Sequence, residues 1–318
     1  MSELNVAVVG CGAAGGVHLR CWRNLNGVRA VTVCDTNGVA AAHLAESFEG
    51  VAAFQDLKAM FKAGNFDIVD VCTPAESQFE VVRAALNAGV HVLCETPFTS
   101  NGNQADTLLR LAESRERLLT PAFCHRFHPP VIFARELIEN DELGQLTMFR
   151  SRFSGYWEDA AGEAQATARI CGALRLTSIH SIDLFRYLCG DVKSATGRLK
   201  LSNPDLKVED TVALLLESAA GCLGVVETSW SSPGGRTVLE IYGTAGACII
   251  DYDAGTLRYL TADHPVWQHH DEGGPNRFER QIASFADQVR GLQPPVTTAA
   301  DGAAAASICD TIYATASI

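Results

Sequence analysis

Residues 4–15 read LNVAVVGCGAAG, an apolar, β-branched run of strand length that passes directly into Gly10-x-Gly12-x-x-Gly15. The next ten residues, GVHLRCWRNL, have helical spacing. Strand, glycine loop and helix in that order give the glycines a mechanism. Gly10 permits the tight turn, Gly12 lets the backbone approach a pyrophosphate, and Gly15 allows the helix to pack on its strand with its N-terminus aimed at the phosphates. With Ala13 and Ala14, these residues form the expected cofactor cradle. A second strand, VRAVTVCD, ends on Asp35, about 20 residues after the last glycine, where a carboxylate accepts hydrogen bonds from an adenosine ribose. A 2'-phosphate would meet Asp35 as a like charge, and no arginine follows in Asp35-Thr36-Asn37, so NAD is preferred to NADP.

Further strands, FDIVDVCTP, VHVLCETP and RLLTPAFCH, each follow a stretch of helical pattern. Such alternation predicts right-handed crossovers and a parallel sheet, with ligands beyond the carboxyl ends of the strands. Thr73-Pro74 and Glu95-Thr96-Pro97 are therefore expected at that mouth. From position alone, Glu95-Thr96-Pro97 serves equally as a strand stop followed by a helix N-cap.

A chain of 318 residues suits two domains better than one core. No apolar run is long enough to span a bilayer and no basic, apolar leader opens the chain, so a soluble, cytoplasmic protein is expected. The 11 cysteines lie scattered in apolar runs with no C-x-x-C pair and read as reduced core residues. A net charge of -12 with no Lys/Arg cluster argues against nucleic acid and anionic membrane as partners.

With these residues in view, the sequence resembles the Gfo/Idh/MocA family of nicotinamide-dependent sugar and cyclitol oxidoreductases. The resemblance runs from VGCGAAG through VDVCTP, AALNAGVHVLCETP, HRFHPP, IHSIDLFRYLCG, VEDTVALLLESAAGCLGVVETSW and VLEIYGTAGACIIDY to FERQIASFADQVRG. It implies an α/β protein with a Rossmann dinucleotide-binding domain, placed at 1–122, and a second α/β domain, 123–318. The second domain's large, mostly antiparallel sheet would carry substrate on one side and commonly a partner subunit on the other. The strand-like segments LTMFRSRFS, VALLLES, CLGVVETSW, TVLEIYG and ACIIDYD, with turn glycines between them, fit that sheet. Their apolar residues on both faces predict a homodimer or homotetramer.

Three positions depart from the family's pattern. Thr96 stands where the family usually has a lysine that assists proton transfer near the nicotinamide. Leu176 stands where an aspartate usually precedes the active-site histidine by four residues, and Glu76 and Gln78 stand where histidines often follow the Thr-Pro segment. A hydride transfer at a secondary alcohol still needs a base for the hydroxyl proton. His180 is the leading candidate, since imidazole titrates near neutral pH. Asp183, three residues on, shares its helical face and could fix its tautomer. Thr96 can donate a hydrogen bond to a carbonyl oxygen or the nicotinamide ribose. His125 is expected to contact substrate, and Arg126 to anchor the domain junction. Tyr156, Trp157, Arg169 and Arg175 offer aromatic faces and guanidinium forks suited to sugars and carboxylates. His269-His270-Asp271-Glu272 has no spaced third ligand, so no metal is expected. The expectation is an NAD-dependent oxidoreductase acting on the CH–OH group of a sugar, cyclitol or sugar-derived acid. A catalytically silent nucleotide- and sugar-binding regulator, and a lyase or isomerase that uses bound NAD transiently, are the alternatives.

Overall fold

The computed structural model describes residues 3–155, 171–271 and 273–316. The chain divides into two compact units, Met1–Cys124 with Phe278–Ala306, and His125–Arg277 with Ser307–Ile318.

The first unit is built on six strands, β1 (Leu4–Val9), β2 (Val28–Cys34), β3 (Ala52–Phe54), β4 (Ile68–Val71), β5 (His91–Cys94) and β6 (Leu119–Pro121). They pair in the order β3-β2-β1-β4-β5-β6, every pair parallel. The helices between them are α1 (Ala13–Asn24), α2 (Gly38–Glu46), α3 (Leu57–Ala63), α4 (Ala75–Asn87) and α5 (Gly102–Ser114). Side chains alternate across a strand, so each strand feeds two cores. Val6 and Val8 pack with Leu19 and Trp22 of α1, whereas Ala7 and Val9 pack with Val82 and Leu86 of α4 and Leu108 of α5. Fully burying each such side chain contributes about 1.5–3 kcal/mol. The order reverses between β1 and β4, which opens the crevice where this type of sheet takes its ligand.

Two late helices, α8 (Arg277–Val289) and α9 (Ala299–Thr315), add to these layers. Ile282, Phe285 and Ala286 of α8 join the core under Val6 and Val8, and Ala299, Ala303 and Ala306 of α9 join the one under Ala7 and Val9. Residues 278–306 therefore sit with the first unit, although the division read from sequence had assigned all of 123–318 to the second.

The second unit holds α6 (Pro129–Glu139), α7 (Ile179–Cys189) and eight strands. These are β7 (Leu146–Ser154), β8 (Val192–Lys200), β9 (Thr211–Ser218), β10 (Leu223–Ser229), β11 (Thr237–Gly243), β12 (Ala247–Asp251), β13 (Thr256–Leu260) and β14 (Gln268–His270). Their order is β14-β13-β12-β11-β7-β10-β9-β8, antiparallel except for the β10–β7 pair. One face is closed by α7. Phe185 meets Phe149 of β7 edge-on at 5.3 Å, and Ser181 hydrogen-bonds Ser151 at 2.7 Å. The opposite face presents Leu215 and Leu223, each more than half exposed, beside Arg150 and Arg152, which both pair with Glu227 at 2.8 Å.

Candidate active site

The glycine loop is shaped by close approach. Gly10 has φ +101, and a Cβ there would stand 2.5 Å from the Cys72 carbonyl oxygen; a Cβ on Gly15 would stand 2.0 Å from the Gly10 oxygen. Any side chain would therefore push the loop off the end of β4 or α1 off the loop. Gly12 caps α1 without a side-chain hydrogen bond, which leaves the helix's first amides to an anion. The Asp35 carboxylate, at the end of β2, accepts from the amides of Cys11 and Asn37, each at 2.8 Å. It is thus fixed against the loop, with lone pairs still available to a ribose.

Beyond β4 and β5, Gln78 is buried on α4 and its amide donates to the carbonyls of Glu95 at 2.9 Å and Thr73 at 3.2 Å. At the family's histidine position this chain therefore has a clamp that joins two strand ends. Thr73 is half-buried next to Pro74, the N-cap of α4. Glu95 accepts from the Thr96 amide at 3.0 Å and reaches His18 Nε2 at 3.0 Å. That second contact is a charge contact, off the line a hydrogen bond needs. His18 Nδ1 lies 2.8 Å from Asp70, and Trp22 donates to the same oxygen at 2.7 Å. Burial opposes a charge on His18, but Asp70 outweighs it and holds the imidazole well above the usual histidine range. Cys72 is close enough to complete a metal-ligating trio with His18 and Asp70. Burial, then Asp70, pushes its thiol up to about 12, so it stays protonated and points at the Asp70 carboxylate instead.

The sequence-expected residues of the second unit divide into two sets. His125, in the short turn Cys124–Phe127, and His180, in the first turn of α7, face each other edge-on at 5.0 Å. Phe153 lies 5.1 Å from His125, and the Tyr252 hydroxyl is 3.3 Å from His125 Nδ1. His128 packs on the Tyr252 ring at 4.5 Å. Burial, then the neighbouring His180, Arg277 and His128, holds His125 well below the usual range; burial and Arg277 bring His128 to about 4. Both rings are therefore neutral near pH 7.

Asp183 sits elsewhere in the packing. Its carboxylate is clamped by Arg126, Nε to Oδ2 at 2.9 Å and the other nitrogen to Oδ1 at 2.6 Å, with both residues buried. The shared helical face therefore gives Asp183 an arginine partner within its own unit, and Arg126 an anchoring role there. Arg175 is likewise buried; it pairs with Asp310 and lies 5.2 Å over the Tyr313 ring, a pin for α9 rather than an open fork. Leu176 is half-buried in the wide turn Leu174–Ser178 that leads into α7. His270 stacks on Phe133 at 3.7 Å. Tyr156, Trp157, Arg169 and Glu272 lie outside the described residues.

Sequence reasoning passed over His18, Asp70 and Tyr252. A lone acid inside the apolar strand IVDV is the signal that marks Asp70, because a buried carboxylate requires a partner. Tyr252 gave none, since 127 residues separate it from His125.

Comparison with known proteins bears on this geometry. A D-apiose dehydrogenase of Rhizobium rhizogenes is 26% identical over 251 residues, 77% of this chain and 73% of the relative. An inositol 2-dehydrogenase of Saccharopolyspora erythraea is 28% identical, spanning 96% of this chain and 91% of the relative. In fold, a levoglucosan dehydrogenase solved with NADH and L-sorbose superposes with a TM-score of 0.90 at 23% identity, over 99% of this chain and 97% of that one. The family model for the NAD-binding Rossmann fold of this oxidoreductase family matches residues 4–123, and that for the GFO/IDH/MocA C-terminal domain matches 131–249. Glycine cradle, parallel sheet and both family matches agree: the chain belongs to the Gfo/Idh/MocA family and is an NAD-binding oxidoreductase.

Proposed function

We propose that this chain is an NAD-dependent dehydrogenase acting on a secondary alcohol of a sugar, cyclitol or sugar-derived acid, with His180 as its acid/base. The observation that carries this reading is the cluster of His180, His125 and Tyr252 against Phe153, which combines a titratable imidazole with an aromatic wall suited to a sugar's C–H faces. The names of relatives that act on apiose and inositol support the substrate class.

The cradle that a Cβ on Gly10 or Gly15 would fill, together with the pinned Asp35, fits NAD, which when bound accepts a hydride from the substrate carbon. Gly10, Gly12, Ala13, Ala14 and Gly15 hold its pyrophosphate, and Asp35 its adenosine ribose, to the disadvantage of NADP. Thr73, Pro74, Glu95 and Thr96 border the nicotinamide. In the oxidative direction His180 takes the hydroxyl proton as the alcohol becomes a carbonyl, then releases that proton to solvent. His125, held neutral, orients the oxygen by hydrogen bonding, and Thr96 is a hydrogen-bond donor at the end of β5. Arg126 and Asp183 brace the segments that carry His125 and His180. Tyr156, Trp157 and Arg169 are further substrate contacts in this reading. The open face around Leu215, Leu223 and the Arg150–Glu227–Arg152 pairs joins copies of the chain into a homodimer or homotetramer, and the free cysteines suit a reducing compartment such as the cytoplasm.

The replacement of two ionisable family residues by Thr96 and Leu176 favours a second reading, a silent sensor or an enzyme that cycles NAD internally. An initial-rate screen over sugars, cyclitols and their acids with NAD and NADP, with thermal shifts read on the same samples, tests the proposal. NADH release with at least one substrate supports it. Ligand-induced shifts without turnover across the panel would overturn it.

A further inference from the structure

We propose that Cys189 and Cys222 form a modification site in the second unit, where a hydroperoxide converts the two thiols to a disulfide that ties the end of α7 to the hairpin between β9 and β10.

Cys189 is the last residue of α7, and Cys222 immediately precedes β10. The backbone sets the two side by side. Val192 of β8 pairs with Ser218 of β9, the Ala219 amide donates to the Asp191 carbonyl at 2.8 Å, and the Ser218 amide donates to the Cys222 carbonyl at 2.9 Å. Within that frame the two sulfurs are in hydrogen-bonding contact. Both side chains are buried, Cys189 at 6% and Cys222 at 1% exposure. They nevertheless sit directly under the surface, because Gly190, Asp191, Ala219, Ala220 and Gly221 are all exposed. Gly190 has φ +92 and Gly221 φ +89, and a Cβ on either would meet nothing within 4 Å. Two open glycine turns therefore flank the pair, giving a small oxidant an approach and the backbone room to adjust as the sulfurs close.

The contact also separates this pair from the other buried thiols. Burial pushes Cys34 up to about 11 and Cys72, Cys248 and Cys309 up to about 12, so all four stay protonated. The hydrogen bond from Cys189 holds Cys222 below the usual thiol range, and that bond together with burial holds Cys189 above it. Cys222 is thus the nucleophile and Cys189 the resolving thiol. The Cys222 sulfur attacks one peroxide oxygen and the O–O bond breaks, giving a sulfenic acid and releasing an alcohol, or water from hydrogen peroxide. The Cys189 sulfur then displaces the hydroxyl, which leaves as water with the Cys189 proton. Two thiols lose two electrons in all, one hydroperoxide takes them, and a dithiol reductant reverses the step. In the resting protein both cysteines are free. His180 occupies the first turn of the same helix, so the link braces the element that carries it.

The test exposes the folded full chain to hydrogen peroxide, alkylates the remaining thiols after denaturation and maps the peptides by mass spectrometry without reduction. Treatment is expected to lower the number of alkylated cysteines by two, to remove two hydrogens from the intact mass and to yield a Cys189–Cys222 cross-linked peptide that dithiothreitol abolishes. Cys189→Ser should leave Cys222 as a sulfenic acid that dimedone captures, and Cys222→Ser should leave Cys189 open to alkylation. The linked protein should melt about 5–10 °C above the reduced one, because the bond closes a long loop. Full alkylation of both cysteines in the natural protein, at a peroxide dose that oxidises its methionines, would overturn the proposal. A link from either to a different cysteine, or sulfinic acid on Cys222 with no link, would do the same. These readings on the natural protein stand even if neither variant folds. An unchanged melting temperature in the linked protein would refute the bracing of α7 and leave the modification site intact.

Discussion

The ends of the first unit's strands and the histidine cluster of the second unit solve the burial of polar groups in opposite ways. Around β4 and β5 the groups are charged and paired: Asp70 and Glu95 enclose His18, and Asp35 is tied to two backbone amides. Around His180 the rings are aromatic, and His125 and His128 are both held below the usual range, chiefly by burial and then by neighbours that include Arg277. Fixed charge suits the parts of a dinucleotide that do not change in the reaction, its ribose and pyrophosphate. Neutral, titratable rings suit the place where a proton must come and go, since a permanent counter-charge would hold it.

The sharpest way to break that contrast is to remove the proposed base. His180→Ala should lower turnover by about 10² to 10⁴ and leave NADH affinity nearly unchanged, as steady-state kinetics and calorimetry would show. Next in size is a buried charge pair of the second unit. Arg126→Ala leaves Asp183 without its guanidinium and should destabilise the protein by about 3–5 kcal/mol in a denaturant melt; a loss below about 1 kcal/mol would mean that the pair contributes little. Asp35→Ala should weaken NADH binding by about tenfold and narrow the gap to NADPH, the loss of a charge-assisted hydrogen bond to the ribose. Tighter binding of NADPH than NADH by the natural protein would contradict the role given to Asp35.

The smallest effect is the pH dependence of stability, and its sign differs between the regions. His125 and His128 resist protonation in the folded chain, His128 down to about 4. The unfolded chain takes up protons from about pH 6.5, so the second unit loses stability as pH falls below that value. His18 is raised, so its contribution is fully present below about pH 6.5 and fades only as pH rises through its folded value. Hydrogen exchange between pH 7 and 5 should show the second unit loosening first, and His128→Asn should flatten that response. Equal loosening of both units would count against the contrast.

The same contrast explains what was legible in the sequence. In the first unit the candidate residues lie in short contiguous runs, since Gly10 to Gly15 follow a strand, Asp35 follows the next one and Glu95-Thr96-Pro97 follows another, so local spacing was enough to single them out. The pairing of Glu95 with His18 was hidden, because it joins residues 77 positions apart that only the crossover from α1 to β5 brings together. In the second unit nearly everything is of that kind. His125, Phe153, His180 and Tyr252 come from a turn, a strand, a helix and a strand end, and no spacing rule links them. Asp183 shows how local spacing misleads: three residues from His180 on one helix, it is claimed by Arg126, 57 positions away. Packing geometry, which the sequence encodes only through the whole fold, decided the partner. The helices 278–306 were displaced for a similar reason, since amphipathic spacing shows that a helix covers a core and not which core it covers.

The most direct test of the central claim is stoichiometric. With NAD and the substrate that the screen identifies, NADH released and carbonyl product formed would be measured in one reaction. An oxidoreductase with His180 as its base releases one NADH for each carbonyl formed. Product accumulating without free NADH, or ligand binding with no product at all, would contradict it.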